Sequence, residues 1–112
     1  MKYKLYEDEN NRNEFVSGTY KIGYIGLKPS YLVKKFGPPM HGDGFKVSGE
    51  YVFESEEGNP ITVYDWKYTT LYDIDNEYTA VGFWMLDKDV RFNVGGRSTN
   101  DYHDFYKWIK SQ

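Results

Sequence analysis

A chain of 112 residues supports a single hydrophobic core, and a domain that small buries roughly 60 to 70% of its unfolded surface. Hydrophobic residues make up 39% of the chain, but 12 residues are tyrosine, so much of the apolar area carries a hydroxyl that must reach water or a partner, which predicts a thin core under an aromatic skin. The 17 acids and 14 bases leave a formal charge of −3, too little positive charge for nonspecific nucleic acid binding and too even a balance for an acidic mimic; the absence of cysteine excludes disulfides, thiolate nucleophiles and cysteine-ligated zinc, as in a reducing intracellular setting.

The N-terminal run Met1-Lys2-Tyr3-Lys4-Leu5-Tyr6 alternates weakly, as an edge strand does, and Glu7 to Glu14 is almost wholly polar and predicts a loop. Neither segment has an apolar signal region, and no stretch reaches the ~18 residues of a membrane span, so no targeting and no membrane partner are expected. Residues 1–17 read as a peripheral segment ahead of one domain over 18–112. Thr19 to Ile25 alternates and predicts a strand. Pro29 opens a helix with the apolar stripe Leu32, Val33 and Phe36, and Lys34 and Lys35 lie at its negative end. Gly37 supplies the C-terminal cap and Pro38-Pro39 forbid continuation.

After the loop Met40-His41-Gly42-Asp43-Gly44, two extended runs joined by Glu56-Glu57-Gly58-Asn59 predict a β-hairpin. Its first strand sets Val47, Gly49, Tyr51 and Phe53 on one face, and its second runs from Ile61 to Trp66. Asp65 continues the apolar face of Ile61 and Val63, where a carboxylate needs a partner. Tyr68 to Glu77 has neither period and predicts a loop, and Ala80 to Leu86 is short and ambiguous between helix and strand. Val90, Phe92 and Val94 share one face of a strand. Tyr102, Phe105, Tyr106 and Ile109 then mark the buried stripe of a final helix from about Thr99, with Thr99 or Asn100 as its cap. The fold class is α+β: a small antiparallel or mixed sheet of about four strands, covered on one face by two helices.

The ordered runs Gly23-Tyr24-Ile25, Phe36-Gly37-Pro38, Gly42-Asp43-Gly44-Phe45-Lys46-Val47, Glu50-Tyr51-Val52-Phe53, Thr62-Val63-Tyr64-Asp65-Trp66-Lys67 and Asn93-Val94-Gly95-Gly96-Arg97-Ser98 resemble a family of small uncharacterised bacteriophage proteins over about residues 18 to 110. Members it resembles often carry Trp and His before the two glycines, where this chain has Phe92 and Asn93. The resemblance implies a phage origin and action in the cytoplasm of a bacterial host, and phages devote many proteins of this size to blocking host immunity.

Gly95-Gly96-Arg97-Ser98 leaves a strand and enters a helix N-terminus, where unpaired N–H groups attract anions; Arg97 suits a phosphate or carboxylate and Ser98 adds a hydroxyl. The plainer alternative is a tight turn. Tyr64, Trp66, Tyr68 and Tyr72 offer faces for a base, with Lys67 or Arg91 supplying charge, against the alternative of an aromatic core. Asp65 is a candidate for a shifted pKa or for an ion pair with Lys67, Lys46 or Arg97. Asp43 and Lys46 are candidates to face a ligand, against an Asp-stabilised turn. Gly42-Asp43-Gly44 fails as a dinucleotide fingerprint, and Asp73 to Glu77 fails as a calcium loop because Tyr78 and Trp84 stand where Gly and Glu are required. No catalytic set, metal site or cofactor is expected. The leading expectation is a non-enzymatic counter-defence protein, sequestering a small anionic or nucleotide ligand at Gly95, Gly96, Arg97, Ser98, Tyr64, Trp66, Lys67 and Asp65, or occluding a host immune protein, with self-association possible. A small phosphoester-type hydrolase and a virion-associated structural protein are the alternatives.

Overall fold

A computed structural model describes residues 2–112. Along these residues run β1 (Tyr3–Leu5), α1 (Arg12–Phe15), β2 (Tyr20–Leu27), α2 (Pro29–Phe36), β3 (Met40–His41), β4 (Gly49–Ser55), β5 (Pro60–Tyr64), α3 (Ala80–Trp84), β6 (Val90–Gly96) and α4 (Thr99–Lys110). The strands form one antiparallel sheet in the order β1-β4-β5-β6-β2, with β3 also pairing β4. The α+β class is as expected, but the sheet has six strands rather than about four, and four helices are described rather than two. Beyond the expected four strands and two helices, β1 falls in the weakly alternating segment read as an edge strand and α3 in the segment left between helix and strand, whereas β3 and α1, of 2 and 4 residues, are too short to establish a hydrophobic period. No helix among the described residues is long and apolar enough to cross a membrane.

The chain divides into two compact units. The first comprises the residues up to Tyr24, Tyr51–Val63 and Asn93–Gln112; the second comprises Ile25–Glu50 and Tyr64–Phe92.

In the first unit α4 packs its predicted stripe against strands. Phe105 and Ile109 are buried, and Phe105 meets Phe53 of β4 and Tyr3 of β1, each with ring centroids 5.2 Å apart. The Tyr3 ring is itself 8% exposed, and its hydroxyl donates to Asp104 Oδ2 at 2.7 Å. Burial raises the Tyr3 pKa, and the Asp104 carboxylate that accepts its proton raises it further. At the other end of α4 the Tyr102 ring covers Gly23 of β2 so closely that a Cβ there would fall 2.4 Å from it. Tyr102 also donates to the Tyr24 carbonyl at 2.6 Å. The stretch predicted as loop ends in α1, whose Phe15 stacks on Tyr6 at 4.1 Å.

Consecutive residues of β4 and β5 are buried: Tyr51, Val52 and Phe53, then Ile61, Thr62 and Val63. A strand wetted on one side shows alternation, so both faces of these strands are covered, where one was expected.

In the second unit α2 begins at Pro29 and ends at Gly37, whose φ of 84° and N–H bond to the Val33 carbonyl make the expected cap. Thr79 caps α3 by accepting from the Gly82 N–H, which makes the ambiguous segment helical. Phe83 is fully buried there between Tyr68 and Phe92. The hairpin strands are displaced from the predicted limits: β4 starts at Gly49 and β5 stops at Tyr64. The cause is Asp65, whose carboxylate takes the N–H groups that would otherwise seek a ladder.

Candidate functional site

Gly95 and Gly96 end β6 and are both buried. A Cβ on Gly96 would lie 2.6 Å from Cδ1 of Ile22 and 3.1 Å from Cδ1 of Ile61, so glycine is needed there by packing. The Arg97 guanidinium turns to the chain's own backbone: Nε donates to the Ser17 carbonyl at 3.3 Å, and Nη2 donates to the carbonyls of Phe15 at 3.1 Å and Ser17 at 3.2 Å. Ser98, rather than Thr99 or Asn100, caps α4, its Oγ accepting from the Asp101 N–H at 3.3 Å. These four residues lie together in the first unit, and Gly96, Arg97 and Ser98 each serve a bond or a packing constraint of the fold. Tyr64, Asp65, Trp66 and Lys67 belong to the second unit.

Asp65 is completely buried and forms no ion pair among the described residues; the expected pairing with Lys67, Lys46 or Arg97 is replaced by neutral donors. Its carboxylate accepts from the Ser48 N–H at 2.9 and 3.1 Å, the Ser48 hydroxyl at 2.8 Å and the Gly49 N–H at 3.0 Å. Ser48 Oγ in turn accepts from Trp84 Nε1 at 3.0 Å. Burial pushes the Asp65 pKa up, and the donors of Gly49 and Ser48 oppose that shift without cancelling it. The network ties the chain after β5 to the start of β4.

The residues on either side of this anchor form an exposed corner. Phe45, Trp66 and Tyr72 are 50, 41 and 37% exposed, and the Phe45 and Tyr72 rings are in contact at 5.1 Å. Lys46 Nζ lies 5.6 Å from the Trp66 ring centroid and 5.9 Å from that of Phe45. Lys67 Nζ lies 5.6 Å from the Trp66 centroid and 5.2 Å from that of Tyr72. Among the described residues neither ammonium group forms a carboxylate ion pair, whereas Lys4 and Lys28 do, with Glu54 and Asp87. Tyr64, half-buried, meets Trp66 edge-on at 6.3 Å.

Two backbone devices hold the corner. Asp43 accepts from the N–H groups of Phe45 at 2.8 Å and Val47 at 2.9 Å, the expected Asp turn. Burial works to raise its pKa, but the N–H groups of Val47, Phe45 and Lys46 and the Lys46 charge hold the carboxyl below its usual value. Lys67 has φ of 65°, the left-handed region that costs a non-glycine residue on the order of 1–2 kcal/mol. It is kept there by its N–H donating to the Lys46 carbonyl at 2.7 Å and its own carbonyl accepting from Asn76 Nδ2 at 3.1 Å.

Trp66, Lys67 and Tyr72 were legible as candidates from the sequence, and Lys46 as a candidate partner of either Asp65 or a ligand. Phe45 was missed, because a lone aromatic after Gly44 has no period to mark it. In the first unit, a groove of about 550 Å³ is lined by Lys2, Tyr3, Lys4 and the β4–β5 turn, and its Lys4 is already paired with Glu54. No protein-family model and no curated protein matches the chain.

Proposed function

We propose that this chain is a non-enzymatic binding protein of phage origin that acts in the cytoplasm of a bacterial host against its antiviral defence. Its contact surface is the corner of Phe45, Lys46, Trp66, Lys67 and Tyr72, through which it holds a small anionic ligand or covers a host immune protein. The observation that carries this reading is the conjunction of three exposed rings, two ammonium groups that form no carboxylate ion pair among the described residues and a strained backbone at Lys67. Large aromatic side chains left in solvent match the composition of binding surfaces, where they supply contact area at low entropic cost. Backbone strain that the surroundings maintain also concentrates where a side chain must be aimed. The phage setting rests on the resemblance of the ordered motifs between Gly23 and Ser98.

The Gly95–Ser98 joint supports the reading less, since Nε and Nη2 of Arg97 and Oγ of Ser98 already bond the chain itself. The test is to express the protein in bacteria carrying individual defence systems and count plaques. The wild-type protein should restore plating on at least one such strain, and Trp66→Ala should lose that effect while keeping its melting temperature. Equal plating with the two proteins would remove the corner from the function.

A further inference from the structure

We infer that the corner is a nucleotide site, with a base stacked on Trp66 and a phosphate seated between the ammonium groups of Lys46 and Lys67. This rests on the binding reading above and gives that surface its ligand class. Two like charges stand equally far, 5.6 Å, from the centroid of one exposed indole ring; among the described residues neither forms a carboxylate ion pair at contact distance, and the nearby Asp43 carboxylate, which feels the Lys46 charge, is engaged by the backbone N–H groups of Phe45 and Val47. An anion at the rim of the ring draws on these ammonium groups, and a flat π-system beside the anion uses the ring. A sugar would engage the ring faces but leave the cations idle, and an apolar partner would desolvate both ammonium groups without return. A nucleotide satisfies both halves, since bases stack on aromatic side chains and their phosphates pair with lysine.

The surrounding geometry supports the same ligand. Lys67 is kept at φ 65° by its bonds to the Lys46 carbonyl and to Asn76, so the two lysine-bearing segments are fixed to each other by a 2.7 Å hydrogen bond. Phe45 and Tyr72, in mutual contact, extend the aromatic platform beside Trp66. The overall charge of −3 opposes long-range attraction of a polyanion, which favours a small nucleotide that meets the two lysines locally over a nucleic acid strand.

The full-length protein is titrated by calorimetry with ATP, GTP, CTP and UTP, and separately with adenosine and inorganic tripolyphosphate. Every base has a π-face, so all four nucleotides should bind, with affinities within about fivefold of one another. Adenosine and tripolyphosphate should each bind at least about tenfold more weakly, as each supplies half of the interaction. Trp66→Ala should weaken ATP binding by about tenfold or more, the range expected for losing one stacked base. Lys67→Gly should weaken it about fivefold; glycine adopts φ 65° without strain, so this variant deletes the charge and keeps the backbone.

Failure of all four nucleotides to bind at millimolar concentration overturns the inference, as does ATP binding undiminished in Trp66→Ala or tripolyphosphate binding as tightly as ATP. If plating is restored by the wild type and lost in Trp66→Ala while no nucleotide binds, the nucleotide site is overturned and the covering of a host protein stands. If nucleotides bind as described but plating is not restored on any defended strain, the site stands and the counter-defence role falls.

Discussion

The joint Gly95-Gly96-Arg97-Ser98 and the corner of Phe45, Lys46, Trp66, Lys67 and Tyr72 both assemble residue types suited to an anion, yet they spend them differently. At the joint, the Arg97 guanidinium holds two backbone carbonyls, Ser98 closes the first turn of α4, and Gly96 makes room for Ile22. At the corner the backbone groups are satisfied by Asp43, Asn76 and the Lys46–Lys67 bond, whereas the rings are exposed and the ammonium groups lie over them. Residue chemistry alone therefore does not define a binding surface. Capacity that the fold leaves unspent does, as in the exposed rings of the corner.

That contrast breaks first at Asp65, which anchors the corner from below. Asp65→Ala orphans two backbone N–H groups and one hydroxyl in a buried place, and should cost about 3 kcal/mol or more of unfolding free energy in a urea titration. The same carboxyl gives a pH signature. Its folded pKa is raised above the ordinary 3.8, so the folded state binds the proton more tightly than the unfolded chain. Its contribution to stability is complete below pH 3.8 and is lost as pH rises through the folded value. The stability of the wild type relative to Asp65→Asn should accordingly fall as pH rises over that window; a constant difference would show that burial does not govern this group.

The joint is expected to respond as a structural element. Gly96→Ala places a methyl against Ile22 and Ile61 and should cost about 1–3 kcal/mol, with no change in ligand affinity. Ser98→Ala removes the α4 cap and should cost about 1 kcal/mol, read as a lower urea midpoint at unchanged slope. Loss of ligand binding in either variant without loss of stability would return the joint to contention as a site. The smallest effect should come from Lys67→Gly, which relieves the left-handed strain but loosens the unfolded chain, for a net gain of about 0.5 kcal/mol. A loss there would mean that the lysine side chain, rather than the backbone bonds, holds the corner in shape.

Much of the fold was legible where side chains repeat. The α2 boundaries follow from Pro29 and Gly37, the α4 stripe from Phe105 and Ile109, and the hairpin from its Gly58-Asn59 turn. The short elements were not: α3 depends on a single Thr79 cap, and β3 on a two-residue pairing with β4. The expected alternation of β4 and β5 failed because coverage of a second face is a property of distant residues.

The sequence by itself determined the size of the core, the α+β class, the long helices, the need for a partner at Asp65 and the candidacy of Trp66 and Lys67, since each follows from local spacing or composition. Tertiary structure alone decided that Asp65 binds Ser48 and Gly49 instead of a cation, that Arg97 is consumed by Phe15 and Ser17, and that Phe45 meets Tyr72. Those pairings join residues 16 to 82 positions apart, and no periodic pattern spans such separations. Which donors are spent inside the fold and which remain for a ligand is settled only when the chain has closed on itself.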